Sequence, residues 1–189
     1  MKHTATRILF AYWDELRGER SAPDRADVQP GGMRQILSDA FVLSSEADVV
    51  FRHAGSRICA LFCRDMAGIR FADLWPPADS AEIERIIGFV TLDTTGVVLG
   101  ALGANVNGSE LAMEMLLLPL RQGRRSDTRI LGALSPSTVP SWAGLVPLTE
   151  LRLRTVRTID THPRDLGGPD FTAPDAARRA FMVHEGSRA

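Results

Sequence analysis

Apolar side chains recur at helical spacing near the start of the chain. This period predicts an amphipathic helix over residues 6–16. Its apolar positions are Ile8, Leu9, Tyr12, Trp13 and Leu16. Gly18 follows them and would end the helix as its C-terminal cap. Residues 18–32 are rich in Gly, Pro, Asp and Arg, a composition typical of loops, and a short helix is predicted over residues 33–40.

The middle of the chain predicts one strand, a short helix and a long helix. Residues 47–53 alternate between apolar and polar positions as a strand does. Ser56 fits a helix N-cap, and the apolar positions after it predict one or two helical turns. Asp79 and Glu82 have the capping-box spacing, which predicts a long helix closed by Gly96. The apolar positions of the two helices are Ile58, Leu61, Phe62, Ile83, Ile86, Ile87 and Val90.

The apolar pattern changes from helical to strand-like after Gly96. Four apolar runs predict strands at residues 97–106, 111–120, 129–134 and 148–159. Asn107-Gly108, between the first two runs, is a strong hairpin signal. Pro119 cannot donate to a sheet ladder, so it must lie near a strand end, at a bulge or on an edge. One further helix is predicted over residues 173–183.

The order of these elements predicts an α+β fold rather than an alternating α/β fold. Three antiparallel strands follow the long helix, so we expect a central antiparallel sheet with short helices on one face. An N-terminal helix and a C-terminal extension complete the chain. We therefore divide it into an N-terminal helix and loop over residues 1–32, a core over residues 33–160 and a tail over residues 161–189.

Composition excludes several classes of protein. The 189 residues are 44% apolar, which suits one domain with a sizeable core. The net charge of −1 gives no electrostatic case for nucleic acid, although a basic last third keeps a nucleic-acid-binding tail open as a further hypothesis. No apolar run reaches the roughly 20 residues that span a bilayer, and no signal peptide is recognised. We therefore expect no membrane partner and a cytoplasmic location.

Motifs for catalysis and metal binding are absent from the sequence. There is no phosphate-binding loop and no Gly-x-Ser-x-Gly elbow, so no catalytic residue is assigned. Cys59 and Cys63 lie one helical turn apart, which is poor geometry for a disulfide. Together with His53 they fall short of the four ligands that zinc needs, so no metal site is predicted. An enzyme would have to use Arg52, His53 and Glu114.

Three motifs occur along the chain in an order that is typical of one family. The first is Tyr12-Trp13 with Leu16-Arg17-Gly18, then Pro23, Arg25, Asp27 and Ile36-Leu37. The second is Phe51-Arg52-His53-Ala54-Gly55-Ser56-Arg57-Ile58, and the third runs from Phe71 to Trp75. Together they resemble the single-domain PAS proteins of alphaproteobacteria, over about residues 7–160. One departure is Cys63, near which family members often have Gly.

The resemblance implies a PAS-like fold and a bacterial signalling protein without an attached kinase or cyclase. Such a protein would act as a cytoplasmic sensor or regulator by binding a partner protein, a small molecule or both. The flavin photoreceptor branch of the class needs a reactive Cys within Asn-Cys-Arg-Phe-Leu-Gln, which this sequence lacks. Haem would need an axial His, and only His53 lies within the core. We therefore expect neither flavin adduct chemistry nor haem.

The resemblance also implies a ligand site between the sheet and the short helices. The residues expected there are Phe51, Arg52, Ile58, Phe62, Trp75, Leu99, Ala101, Met113 and Met115. Plain core packing explains the apolar members equally well. Arg52 is the polar member and would bind an anion in the pocket, or else face solvent. The alternative function is a small enzyme or ligand carrier with a cavity in this place.

The resemblance further implies a homodimer, because PAS domains often dimerise through leading helices. The interface residues would be Ile8, Tyr12, Trp13 and Leu16. Tyr12 and Trp13 are adjacent, so they cannot both face one core, and one ring would meet a second subunit. The competing interpretation is that both rings rest on the same domain and that no dimer forms.

Overall fold

The structure, a computed structural model, describes residues 1–45, 48–92, 94–121 and 128–159. The helix predicted over residues 173–183 lies outside these ranges. The α-helices are α1 (Thr4–Arg17), α2 (Ser56–Phe62) and α3 (Ser80–Leu92). The strands are β1 (Ala40–Ser45), β2 (Val49–Ala54), β3 (Gly96–Asn105), β4 (Glu110–Leu120), β5 (Thr128–Pro136) and β6 (Leu148–Ile159). Short 3₁₀ helices are Arg25–Asp27, Pro30–Ile36, Phe71–Leu74 and Pro77–Asp79.

The six strands form one antiparallel sheet in the order β2-β1-β5-β4-β3-β6. The predicted α+β class is therefore confirmed. The hairpin predicted at Asn107-Gly108 joins β3 to β4, where Gly108 has a φ of 76°. The side chain of Asn105 accepts hydrogen bonds from the backbone of Asn107 and Ser109, which stabilises the turn.

Strand β4 shows why both faces of the sheet are covered. Its residues point alternately to opposite faces, because the side-chain period of a strand is two. Met113, Met115 and Leu117 join the cluster under α2 and α3, which we call the inner face. Leu116, Leu118 and Leu120 join the cluster under α1, which we call the outer face. The continuous apolar run of this strand is therefore explained by burial on both sides.

Helix α1 packs on the outer face, so residues 1–32 share a core with the sheet. Leu9 and Trp13 are fully buried there, and Trp13 Nε1 donates a hydrogen bond to the carbonyl oxygen of Pro119 at 2.8 Å. Gly18 caps the helix as predicted, with a φ of 55° and its N–H bonded to Asp14. Pro119 lies one residue before the end of β4, beyond the last pair with β3, so its predicted place near a strand end is confirmed.

The helix predicted over residues 33–40 is wrong. The 3₁₀ helix ends at Ile36, and the chain enters strand β1 at Ala40. Strand β1 was missed because a short apolar run fits a buried strand and a helical turn equally well. Its pairing with β5, far away in sequence, decides for the strand.

The two helix signals near α3 have different outcomes. Helix α3 begins at Ser80, directly after Asp79 as the spacing predicts, and the carboxylate of Asp79 accepts a hydrogen bond from the backbone N–H of Leu153 in β6 at 2.9 Å. The prediction that Gly96 closes this helix is wrong, because Gly96 is the first residue of β3, where it pairs with Ile159. Pairing with β6 therefore decides the position of Gly96.

Candidate functional site

The residues expected to bind a ligand on the inner face form a packed cluster. Eight of them are at most 5% exposed: Phe51, Ile58, Phe62, Trp75, Leu99, Ala101, Met113 and Met115. Aromatic rings run through this cluster, with centroid separations of 5.4 Å for Phe41 and Phe51, 6.0 Å for Phe51 and Phe71, and 5.8 Å for Phe71 and Trp75. Side chains that would face a ligand therefore contact one another. Trp75 Nε1 is buried here without a hydrogen-bond partner in the described part of the chain.

Arg52 does not join this cluster. The pairing of β1 with β2 shifts between Val42, opposite His53, and Leu43, opposite Phe51, which leaves Arg52 as the additional residue of a bulge. Its side chain is exposed, and its Nε donates a hydrogen bond to Ser44 Oγ at 2.7 Å. Arg52 follows Phe51, which faces the inner cluster, so strand alternation puts Arg52 on the opposite face. Of the two alternatives given for Arg52, the solvent-facing one holds.

The residues predicted for a dimer interface divide into two groups. Trp13 is fully buried against the sheet of its own chain, so it has no surface to offer a second subunit. Ile8, Tyr12 and Leu16 are half-buried. The hydroxyl of Tyr12 donates to the carbonyl oxygen of Gln29 and accepts from its N–H, so this ring also holds the following loop. Ile8 and Leu16 keep part of their surface open.

The outer face carries a cleft of about 370 Å³ between residues 25–37 and strands β1, β2 and β5. We call it the apolar cleft. Its walls are mostly aliphatic, with a cation and an imidazole among them: Arg25, Val28, Pro30, Met33, Leu37, Ala40, Phe41, Val42, His53, Ala54, Gly55, Leu120 and Leu131. Leu37, on its wall, is 40% exposed. The cleft is therefore an apolar surface open to solvent.

A close chain crossing forms one wall of the apolar cleft. The N–H of Gly55 donates to the carbonyl oxygen of Ala40 at 2.8 Å, and the backbone of residues 37–38 passes directly beside it. A Cβ on Gly55 would clash with backbone atoms of Ser38. Glycine is therefore required here, because any side chain would keep the two segments apart.

A second cleft of about 360 Å³ lies at the start of α1, and we call it the polar cleft. It is lined by His3, Thr4, Ala5, Ile8, Gln35, Ile36, Asp39, Arg57, Ser135, Pro136 and Val139. Asp39 is 3% exposed, and its Oδ2 accepts a hydrogen bond from Nη1 of the half-exposed Arg57. This pair joins the start of β1 to the first turn of α2.

Glu114 lies beside the polar cleft and holds the start of α1. Its Oε1 accepts hydrogen bonds from Thr6 Oγ1 at 2.6 Å and from the N–H of His3 at 3.1 Å. Both carboxylate oxygens accept from the N–H of Lys2, and Arg157 Nη2 is 3.3 Å away. Burial raises the pKa of Glu114, but the hydrogen bonds from Thr6, His3 and Lys2 and the positive amino terminus outweigh it, so the pKa is lowered overall.

The residues named for an enzyme are not brought together. His53 lies on β2 and Glu114 on β4, with β1 and β5 between them. Three strand spacings separate them by roughly 14 Å. His53 is exposed, and the Glu114 carboxylate is already bonded to α1. Neither is therefore in reach of the other for acid/base chemistry.

The sequence pattern pointed to Glu114 but not to the other polar residues of this region. Thr6, Asp39 and Ser135 are buried, and Arg57 is paired with one of them. The available signal was a polar residue inside an apolar strand, as at Ser135 in β5. Asp39 and Thr6 gave no such signal, since each lies in a mixed segment.

The described residues contain neither a candidate metal-ligand cluster nor a helix able to cross a bilayer. In residues 1–45, 48–92, 94–121 and 128–159, no three His, Cys, Asp or Glu side chains are placed to hold a metal ion. Within the same ranges, no helix has the length and apolar character to cross a bilayer. Cys59 and Cys63 are both free thiols, the first half-buried and the second exposed.

Comparison with known proteins gives one family and several solved structures. The sequence profile of a family described as PAS domain matches residues 1–135. A light-oxygen-voltage domain studied with a flavin analogue is 15% identical, with a TM-score of 0.47 over 57% of this chain and 83% of the other. The light-oxygen-voltage domain of the blue-light photoreceptor Aureochrome1 in its dark state is 15% identical, with a TM-score of 0.44 over 60% and 84%. A PAS domain from Colwellia psychrerythraea is 14% identical, with a TM-score of 0.42 over 56% and 93%. No curated protein is significantly similar to the chain.

Proposed function

The chain belongs to the PAS domain family, and on that premise we propose that it is a regulatory module that acts by binding a partner protein in the apolar cleft. A sensory or regulatory role follows from the family. The choice of a protein partner rests on this chain's own geometry. An enzyme would need converging polar groups, and the residues named for that role lie apart on different strands.

The observation that carries the proposal is the contrast between the two faces of the sheet. On the inner face, eight side chains expected to border a ligand are packed together. On the outer face, the apolar cleft presents open aliphatic surface with Leu37 at its rim. Exposed apolar surface of this kind is typical of interaction sites, because covering it removes that surface from water. An apolar side chain or amphipathic helix of a partner would suit such a cleft.

A photo-crosslinking experiment tests this proposal. A photoreactive residue is placed at Leu37 and, as a matched control, at Leu92, which is 83% exposed at the end of α3. We expect a defined protein to be crosslinked in the native cell from position 37 and not from position 92. Its affinity for purified Leu37→Asp should then fall about tenfold or more, while Leu92→Asp binds like the parent protein. Equal crosslinking from both positions, or none, would contradict the proposal.

A homodimer through α1 is a second part of the proposal. The open surface of Ile8 and Leu16 supports it, together with the half-buried ring of Tyr12. Native mass spectrometry before and after mild denaturation tests subunit number. A dimer that becomes monomeric in Ile8→Glu supports the interface, and a monomeric parent protein removes it. A retained extra mass would favour the alternative of a ligand carrier with an inner cavity, for which the unpartnered Trp75 Nε1 is the one supporting observation.

The proposed location is the cytoplasm. Both cysteines are free, and a reducing compartment keeps exposed thiols such as that of Cys63 in this state. Cell fractionation tests the location, and recovery of the protein in a secreted or membrane fraction would contradict it.

A further inference from the structure

The polar cleft contains two buried oxygens that lack partners. Asp39 is 3% exposed and Ser135 is 6% exposed, and both line this cleft. Asp39 Oδ1 and Ser135 Oγ have no hydrogen-bond partner among the residues that the structure describes. A buried polar group without a partner costs free energy, so each such group needs a reason.

The chemistry of these two oxygens selects a donor. An ionised carboxylate oxygen only accepts hydrogen bonds, and a hydroxyl oxygen accepts as well as donates. An ammonium group has three donors and a positive charge, so it satisfies both oxygens and also the charge of Asp39. Arg57 binds the other Asp39 oxygen, Oδ2, and its side chain is half-exposed.

The same cleft also offers a partner for an anion. The guanidinium of Arg57 has five N–H donors, of which one nitrogen, Nη1, is bonded to Asp39. The start of α1 is already held by the Glu114 carboxylate, which accepts from the N–H groups of Lys2 and His3. A ligand carboxylate would therefore bind the remaining donors of Arg57.

Apolar side chains complete the cleft. Ile8 and Ile36 form part of its wall, and Val139 is 70% exposed at its edge. A volume of about 360 Å³ is enough for a small organic molecule. The cleft thus combines oxygens that accept hydrogen bonds from an ammonium group, a guanidinium that donates to a carboxylate, and an apolar wall.

We propose that the polar cleft binds a small zwitterion of the α-amino-acid class. The ammonium contacts Asp39 Oδ1 and Ser135 Oγ, the carboxylate contacts Arg57, and the side chain lies against Ile8 and Ile36. This site is on the outer face, away from the cluster between the sheet and α2 and α3. It gives the proposed regulatory module a chemical input, but its occupancy does not require a partner in the apolar cleft.

Thermal unfolding and calorimetry with defined probes test the site. Each common α-amino acid is added alone at millimolar concentration to the full chain. We expect at least one to raise Tm in a dose-dependent way, because a ligand that binds only the folded state stabilises it. For that amino acid, the deaminated carboxylic acid and the decarboxylated amine are used as separate probes, and each should bind about tenfold or more weakly.

Variants locate the binding. Ser135→Ala removes a hydroxyl that has no partner among the described residues, so it should fold normally yet weaken amino-acid binding about tenfold. Ser137→Ala is the matched control, since Ser137 is outside the cleft and bonds to the Ala112 carbonyl oxygen. Asp39→Asn should weaken binding further, and Asp73→Asn, in an exposed pair with Arg70, should not.

Three results would overturn the inference: no amino acid binds, the bare amine binds as tightly as the amino acid, or Ser135→Ala binds like the parent protein. None of these bears on crosslinking at Leu37, so failure of this site and failure of the proposed function are separate results.

Discussion

Thr6 donates its hydroxyl to the carboxylate of Glu114 across 108 positions of sequence, and both side chains are buried. Helix α1 has no side-chain cap of its own, because His3 at the N-cap position makes no such bond. Glu114 supplies one from strand β4 by accepting from the N–H groups of Lys2 and His3 as well. A carboxylate at a helix N-terminus is stabilising for electrostatic reasons also. The seating of α1 on the sheet therefore depends on one side chain of that sheet.

The first prediction is loss of stability in acid through Glu114. Its pKa is lowered in the folded protein, so the folded state binds this proton less readily than the unfolded state. The stabilisation is fully present above the unfolded pKa, near the ordinary value of 4.5, and is lost as pH falls through the lower folded pKa. Urea unfolding at a series of pH values from neutral to acid measures this.

Glu114→Gln is the reference for that measurement. It keeps the size of the side chain but not the titrating group, so its stability should fall less steeply in the acid range. The charged groups that face Glu114 are Arg157 from β6 and the amino terminus. Parallel stability curves for the parent protein and Glu114→Gln would show that Glu114 is not responsible.

The second prediction concerns Thr6→Val. This substitution keeps the shape of the side chain and removes the hydroxyl that donates to Glu114 at 2.6 Å. A hydrogen bond to a charged group contributes about 1.5–3 kcal/mol, so the free energy of unfolding should fall by about that amount. Chemical denaturation measures it. Thr158→Val at an exposed strand position is the control, and a loss as large in the control would remove the special role of Thr6.

The third prediction concerns Gly55→Ala. The new Cβ would lie against the backbone of Leu37 and Ser38, which cannot move aside without disturbing the start of β1. Overpacking of this kind typically costs about 1–3 kcal/mol, and we expect the upper end because the neighbours are backbone atoms. Gly31→Ala is the matched control, since a Cβ there meets nothing within 4 Å. Similar unfolding midpoints for the two variants would contradict the prediction.

The fourth prediction is a stabilising change at Gly88. This residue is inside helix α3, and a Cβ on it meets nothing within 4 Å. Alanine loses less backbone freedom than glycine on folding, so Gly88→Ala should raise the free energy of unfolding by about 0.5–1 kcal/mol. A thermal scan that shows an unchanged or lower Tm for Gly88→Ala would contradict this prediction.

The sequence by itself determined the elements whose signals are local. Helix α1, its cap at Gly18, the body of α3 and the hairpin at Asn107-Gly108 all follow from periods and turn residues within a few positions of each other. The local signal failed at Gly96, which pairs with β6 instead of closing α3. Strand β1 was missed for a related reason, since its pairing with β5 is remote in sequence.

Only the tertiary structure decided which polar residues meet. Asp39 and Ser135 line one cleft, and Thr6 meets Glu114, because the strand order brings the ends of β1, β4 and β5 under the first turn of α1. No spacing along the chain encodes these pairs. The bulge at Arg52 is also a property of strand register rather than of composition. Hydrophobic periodicity reports which face of an element is buried, whereas the neighbours of a buried polar group depend on how distant strands align.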